Sequence, residues 1–271
     1  MPRPIFFLSD YGLADEYVGI CHAVIARVNP EARVVDLTHG VPPQDVMAGA
    51  LMLASSAVHG PPDAVYLAVV DPGVGTDRRG LALRAGDAFL VGPDNGLLWP
   101  ASRDLGGIDA AVAIDHAAVA RGPVSATFHG RDVFAPAAAM LAAGARPEDL
   151  GSPVDPATVV VLEPPAPAVR QGEVEASVLG VDRFGNVRLA ARREHLERAA
   201  LGADLVLVRK GGAVPLRRAV TFADVRDGGY GLLEDSAGWL AVVRFEAGAA
   251  EELGLRRGDA VRLAARGDAV G

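Results

Sequence analysis

One cysteine, Cys21, stands among 271 residues, which excludes an internal disulfide framework and a multi-cysteine zinc site. No histidine and carboxylate set attends it in sequence, so a small buried hydrophobe on a helix is the expected role. No uninterrupted apolar run reaches the ~18 residues a bilayer span needs. The apolar stretch before Asp10 is too short for a signal-peptide core and lacks a cleavage pattern; a cytoplasmic protein is expected. Lys and Arg form no long run and the net charge is −8, which argues against a phosphate-tracking nucleic-acid surface and for a small-molecule ligand. The histidines at 22, 39, 59, 116, 129 and 195 show no metal-ligand spacing, so no metal is expected. Asp10 and Asp15 are too few for a calcium-binding aspartate cluster. No internal repeat of fixed period is found.

What is present is apolar and punctuated. Hydrophobic residues make up 50% of the chain and charged residues 22%, ample for a well-filled core. The length suggests two domains. The first half alternates short apolar runs with helical patterns, the mark of an α/β layer fold. Strands are expected at 4–9, 32–37 and 64–70, with 81–84 and 88–91 pairing as a hairpin across Ala85-Gly86-Asp87. Helices are expected at 14–27, around Val46 to Ala54 behind Pro42-Pro43, and at 135–143 with Pro136 in its first turn. Three prolines within Glu163-Pro164-Pro165-Ala166-Pro167 predict an extended linker. Short strands at 172–181, 187–190, 205–208, 229–234 and 239–244 then suggest a small β-rich domain. The expected organisation is an N-terminal α/β domain over 1–162, a Pro-rich linker over 163–171, and a C-terminal domain over 172–271.

Five segments carry groups capable of chemistry. In Val69 to Arg79, Asp71 ends a buried strand, where α/β folds build their sites, and a Gly-rich loop leads to Arg78 and Arg79. A strand-ending turn with surface arginines fits this segment equally well; a phosphate loop does not, since the Gly-Lys-Ser/Thr ending is missing. In Thr127 to Phe134, His129 stands beside Gly130, Arg131 and Asp132 at a helix entrance, suited to proton handling or water positioning, with Asp132 expected to cap the helix. Asp10, again at a strand end, suits ribose hydroxyls or an Asx turn. Asp94-Asn95-Gly96 reads as a turn. Asp182-Arg183-Phe184-Gly185-Asn186 offers a carboxylate, an aromatic face and an amide between two strands, for binding or as a plain hairpin turn.

Together, in this order and over nearly the whole chain, these segments resemble the S-adenosylmethionine hydroxide adenosyltransferase family, relatives of the bacterial fluorinase and chlorinase. The resemblance rests on Ser9-Asp10-Tyr11-Gly12, Asp36-Leu37-Thr38-His39, Val41 to Asp45, Val70 to Arg79, Gly92 to Gly96, Phe128 to Pro136, Asp182 to Asn186, and Asp235-Ser236-Ala237-Gly238. It implies an N-terminal α/β domain, a smaller C-terminal β-barrel, and a homotrimer whose ligand lies between one subunit's N-terminal domain and its neighbour's C-terminal domain. It implies hydrolysis of S-adenosyl-L-methionine at the ribose C5′ to adenosine and L-methionine, with no cofactor. Asp71, Arg78 and His129 would be the water-handling triad and Asp10 the ribose contact. Asp182 and Ser236 would meet the methionine end, and Phe184, Asn186 and Arg244 the adenine side. Asp235 and Glu246 depart from the family pattern, which has Asn and a small residue there. The halogenases resemble a Tyr-Pro-Ala-Thr pattern where this chain has Asp71 to Val74, and a carboxylate there repels a halide. The alternatives are a chlorinase-like halogenase and a protein that binds S-adenosylmethionine or adenosine without turnover.

Overall fold

The computed structural model describes residues 2–266; residues 1 and 267–271 of the expected domains lie outside the described residues. The chain forms two compact units, Met1–Glu163 and Pro164–Gly271.

The first unit is built on a mixed sheet of β1 (Ile5–Ser9), β2 (Val34–Thr38), β3 (Val65–Val69), β4 (Gly80–Ala85), β5 (Ala88–Pro93), β6 (Ala110–Ile114) and β7 (Gly151–Val154). The order is β2-β1-β3-β5-β4-β6-β7. The first four in that order run parallel and the last three antiparallel to their neighbours. Every residue of β3 is buried, as expected of a central strand covered on both faces. Side-chain alternation sorts the sheet's residues into two layers. Ile5, Phe7, Val65, Leu67 and Val69 share one core with helices α1 (Tyr17–Val28), α4 (His116–Val119) and α5 (Ala135–Ala142). Leu8, Tyr66, Ala68 and Val70 share the other with α2 (Val46–Ala57) and α3 (Trp99–Asp104).

Several helix limits have local causes. α1 begins at Tyr17 rather than Ala14, because residues 13–16 are exposed and gain nothing by packing. α2 is capped by the Asp45 side chain, which accepts a hydrogen bond from Ala48 N at 2.7 Å. Two strands escaped the sequence pattern: β6 is alanine-rich, and β7 carries Pro153, tolerated because β7 is an edge strand.

The second unit contains β8 (Ala168–Arg170), β9 (Glu173–Val181), β10 (Val187–Leu189), β11 (Asp204–Arg209), β12 (Gly212–Arg218), β13 (Tyr230–Glu234), β14 (Leu240–Arg244) and β15 (Ala260–Ala265). Seven of these strands close into a barrel in the order β10-β14-β13-β12-β11-β15-β9, and β9 returns to β10. Closure depends on the length of β9: its first half pairs with β15 and its second half with β10. Within the expected linker, residues 168–170 pair with β9 as β8. The barrel core joins Val174, Leu189, Leu207, Leu216, Val242 and Leu263, among others. β12 shows no strand pattern in the sequence because Gly211-Gly212 and Pro215 interrupt it.

If Asp45 caps α2, D45A should lose about 0.5–2 kcal/mol of stability in urea denaturation, and D45S should keep most of it. Equal losses in the two variants would show that the side-chain oxygen is not what matters.

Candidate active site

β3 ends at Val69, and the chain turns at Val70 to bring Asp71 out of the sheet. Asn95 fixes this exit by donating from Nδ2 to Val70 O at 2.9 Å. The loop from 71 to 79 then folds back so that Arg78 grips Asp71 with two parallel hydrogen bonds, Nε to Oδ1 at 2.8 Å and Nη2 to Oδ2. Both side chains are largely buried, where a bidentate pair is stronger and better oriented than one at the surface. Arg79 turns the other way and ties Asp94 (Nε to Oδ2, 2.8 Å) and Thr158 O, while Asp94 also accepts from Val160 N. The surface-arginine reading of this segment therefore fails for Arg78, and Asp94-Asn95-Gly96 anchors as well as turns.

His129 arrives from a different part of the chain. It precedes a π-helical turn, Gly130–Phe134, in which Ala135 N donates to Gly130 O, and this turn runs directly into α5. A glycine in each of the two segments makes a close approach that fixes its placement. At Gly75 (φ 78°), an added Cβ would stand 2.4 Å from Ala126 O; at Gly130 it would stand 2.0 Å from the Tyr11 hydroxyl. Neither position has room for a side chain.

The result is a contiguous set: Arg78 Nη2 lies 2.9 Å from His129 Nδ1. A guanidinium only donates, so Nδ1 is the acceptor and the neutral imidazole carries its proton on Nε2. His129 is 6% exposed. Burial first, and then the Arg78 cation, hold its pKa below the usual value, so the ring stays neutral near pH 7. His116 packs edge-on to it, 5.0 Å between centroids, and Arg78 lies over the Phe134 ring. Arg78 Nη1 is buried without a hydrogen-bond partner among the described residues. Tyr11, Tyr17 and Phe128 form an aromatic cluster of tilted and edge-on contacts beside this set.

Asp132 does not cap the helix as expected. Its carboxylate accepts from Arg131 and from Ser125 N at 2.8 Å, fixing the loop ahead of His129 instead. Asp10 forms no Asx turn of its own: its Oδ2 accepts from Gln44 N at 2.8 Å, across the loops that follow β1 and β2. Cys21 is buried, and burial pushes its thiol up to about 12, which leaves it an inert core residue.

In the second unit, Asp182 organises the turn from β9 to β10 by accepting from Phe184 N, Asn186 N and Asn186 Nδ2. Gly185 there abuts Gly248, and Phe184 is left 72% exposed. Arg244, the last residue of β14, pairs with Glu252 and lies over the Tyr230 ring. Ser236 is exposed in the turn that enters β14, so the length of that strand separates it from Arg244. Asp235 beside it holds the turn through Ala237 N and Trp239 N and pairs with Arg188 at 2.6 Å.

The SAM hydroxide adenosyltransferase N-terminal domain matches residues 5–151, and the corresponding C-terminal domain matches residues 176–262. The chain belongs to this family. It is 50% identical over 97% of its length to a Salinispora tropica protein named (R)-S-adenosyl-L-methionine hydrolase, of which 99% is covered. A Thermus thermophilus protein of the same name is 44% identical over 96% of this chain and 99% of its own length. A fluorinase of Actinopolyspora mzabensis is more distant, at 27% identity over 96% of this chain and 97% of that protein. The crystal structure of an uncharacterized conserved protein from Thermotoga maritima superposes with a TM-score of 0.88 at 32% identity, covering 96% of this chain and 99% of that one.

Because the folded state holds the His129 pKa below its ordinary 6.5, the unfolded chain takes up more protons as pH falls, and stability is lost as pH drops through about 6.5 and below. Melting temperature from about pH 7.5 to 5.5 should therefore fall more steeply for the wild type than for H129N. Parallel curves would mean that His129 titrates alike in both states.

Proposed function

We propose that this chain is an S-adenosyl-L-methionine hydrolase: water attacks the ribose C5′ carbon, the carbon–sulfur bond breaks, and adenosine and L-methionine leave. The observation that carries the reading is the buried Asp71–Arg78–His129 set, in which Arg78 Nη1 has no hydrogen-bond partner among the described residues. Its support from relatives is the hydrolase name borne by proteins of 44–50% identity over nearly the whole chain.

The substrate sulfonium departs as a neutral thioether, so the leaving group needs no proton and the demand falls on placing the nucleophile in line with the breaking bond. As the new carbon–oxygen bond forms, the attacking water becomes strongly acidic, and a weak base suffices to take its proton. In this reading Asp71 orients the water and receives that proton, because the Nδ1 lone pair of His129 is already engaged by Arg78. Arg78 Nη1 and the His129 Nε2 proton donate to the oxygen and stabilise its hydroxide character. No metal or cofactor enters the step, and its balance is water plus the sulfonium giving adenosine, methionine and one proton. A carboxylate at the nucleophile position accepts a hydrogen bond and a proton from water, neither of which a halide can offer, and this separates this chain from a halogenase.

Binding roles complete the proposal. Asp10 takes the ribose diol; Asp182 and Ser236 take the methionine end; Phe184, Asn186 and Arg244 take the adenine side. A homotrimer with a site shared between subunits, and a cytoplasmic location, belong to the same reading and rest on the family resemblance. Among the described residues, no helix is long and apolar enough to cross a membrane.

Purified protein incubated with S-adenosylmethionine in oxygen-18 water should yield adenosine labelled at the 5′ oxygen and unlabelled methionine by mass spectrometry. Intact ligand would leave a binding protein, and halogenated adenosine on adding chloride would reinstate the halogenase. D71N should lower turnover by about 10²–10⁴-fold while retaining substrate binding. Full activity in that variant would remove Asp71 from the mechanism.

A further inference from the structure

At the edge of the N-terminal sheet, away from the Asp71 set in sequence, the fold gathers three side chains whose numbers gave no hint of a common site. His22 on α1 places Nε2 2.8 Å from Asp36 Oδ1, and His39, just past the end of β2, places its own Nε2 3.1 Å from the same oxygen. The ligand atoms of the three residues all lie within 4.8 Å of one another. We propose that His22, Asp36 and His39 form a binding site for a zinc-class divalent transition metal, held by two imidazole nitrogens and one carboxylate oxygen, with water completing the coordination.

The distances carry the first part of the case. An ion with bonds of about 2.0–2.2 Å to nitrogen and oxygen, at tetrahedral to octahedral angles, sets neighbouring ligand atoms about 2.9–3.4 Å apart. The two separations from Asp36 Oδ1, 2.8 and 3.1 Å, already lie near the short end of that span, so small outward shifts of the two rings would admit an ion. Two imidazoles and a carboxylate match zinc, cobalt or nickel rather than calcium or magnesium, which favour all-oxygen shells.

Burial and hydrogen bonding carry the second part. The His39 side chain is 2% exposed, and among the described residues its Nε2 is buried without an aligned hydrogen-bond partner, although it approaches Asp36 Oδ1 to 3.1 Å. An unpartnered buried ring nitrogen aimed at a carboxylate is costly to keep as a donor and well suited as a ligand. Behind the ring, His39 Nδ1 lies 2.8 Å from the fully buried Ser9 Oγ. That is the outer partner that fixes tautomer and orientation in metal-ligating histidines. Phe7 packs edge-on to His39 at 4.6 Å and lies 6.1 Å from the His22 ring, so one core side chain steadies both imidazoles. On the open side, His22 and Asp36 are each more than a third exposed, leaving solvent a route to the ion.

Such an ion would fasten α1 to the β2 edge. It would also reach the Asp10 loop, because Ser9 precedes Asp10 and Gly12 N donates to His39 O at 2.8 Å.

The test is metal binding by the full-length protein, read without activity. Titration with zinc against a chromophoric chelator should give a defined one-to-one affinity, and cobalt should give visible d–d bands. H22Q, which alters a partly exposed side chain and leaves the buried His39 in place, should weaken zinc binding by more than the about 10–100-fold typical of losing an outer-shell partner. S9A should fall within that range. Zinc should raise the melting temperature of the wild type but not of H22Q, and circular dichroism of the unloaded variants would establish that they are folded. Equal zinc affinity in wild type and H22Q, or no binding by either, would overturn the proposal and leave His22 hydrogen-bonded to Asp36 with His39 close beside the same oxygen.

Discussion

The guanidinium of Arg78 and the carboxylate of Asp71 are shut away together at the end of a fully buried strand, and neither charge tolerates that place alone. Removing one partner of such a pair typically costs about 3–5 kcal/mol, because the other charge is left buried and unmatched. That penalty dictates the path of the loop between them, including the approach of Gly75 to Ala126 O and the side-by-side exit of Val70 and Asn95. It also dictates where His129 must stand, since the same guanidinium nitrogen that meets Asp71 Oδ2 meets Nδ1 of the ring. One side chain thus holds two segments more than 50 residues apart in register, before any ligand is considered.

The pair is electrically neutral as a unit, and the imidazole beside it is held neutral by burial and by the cation. For the proposed chemistry this matters more than any single contact. A sulfonium approaching a neutral cluster meets oriented dipoles rather than a net charge, and preorganised donors need no rearrangement as oxygen acquires negative character. The aromatic faces of Tyr11, Tyr17 and Phe128 add low polarity beside the cluster, which strengthens each remaining electrostatic interaction.

Much of this was legible in the chain because local rules and tertiary demands agree. The strand ends at Ser9 and Val69, the hairpin of β4 and β5, the amphipathic pattern of α2 and the Asp182 turn all follow from periodicity and turn chemistry that the fold does not override. Asp71, Arg78 and His129 stand out by position and by motif, and the fold places Arg78 within hydrogen-bonding reach of both other side chains. What was not legible depends on partners distant in sequence. β7 and β12 exist because neighbouring strands accept them despite Pro153 and Pro215. Residues 168–170 are extended, as a Pro-rich linker would be, yet β9 recruits them as an edge strand. Asp132 stands near a helix start, where a cap is expected, but Arg131 and Ser125 N compete for its oxygens. Histidine spacing could not reveal that α1 and the end of β2 converge on one oxygen of Asp36.

The π turn between His129 and α5 carries a consequence for how such a site could arise or be lost. A π turn accommodates one more residue than the α-helical turn it replaces. Excising a single residue from Gly130–Phe134 would let the ladder relax to regular helix, and His129 would then swing by about 100° around the axis, the angle one residue subtends. The fully buried alanine face of α5 would stay where it is. An insertion of one codon is therefore enough, in principle, to turn an imidazole toward or away from Arg78 while the core beneath it remains unchanged.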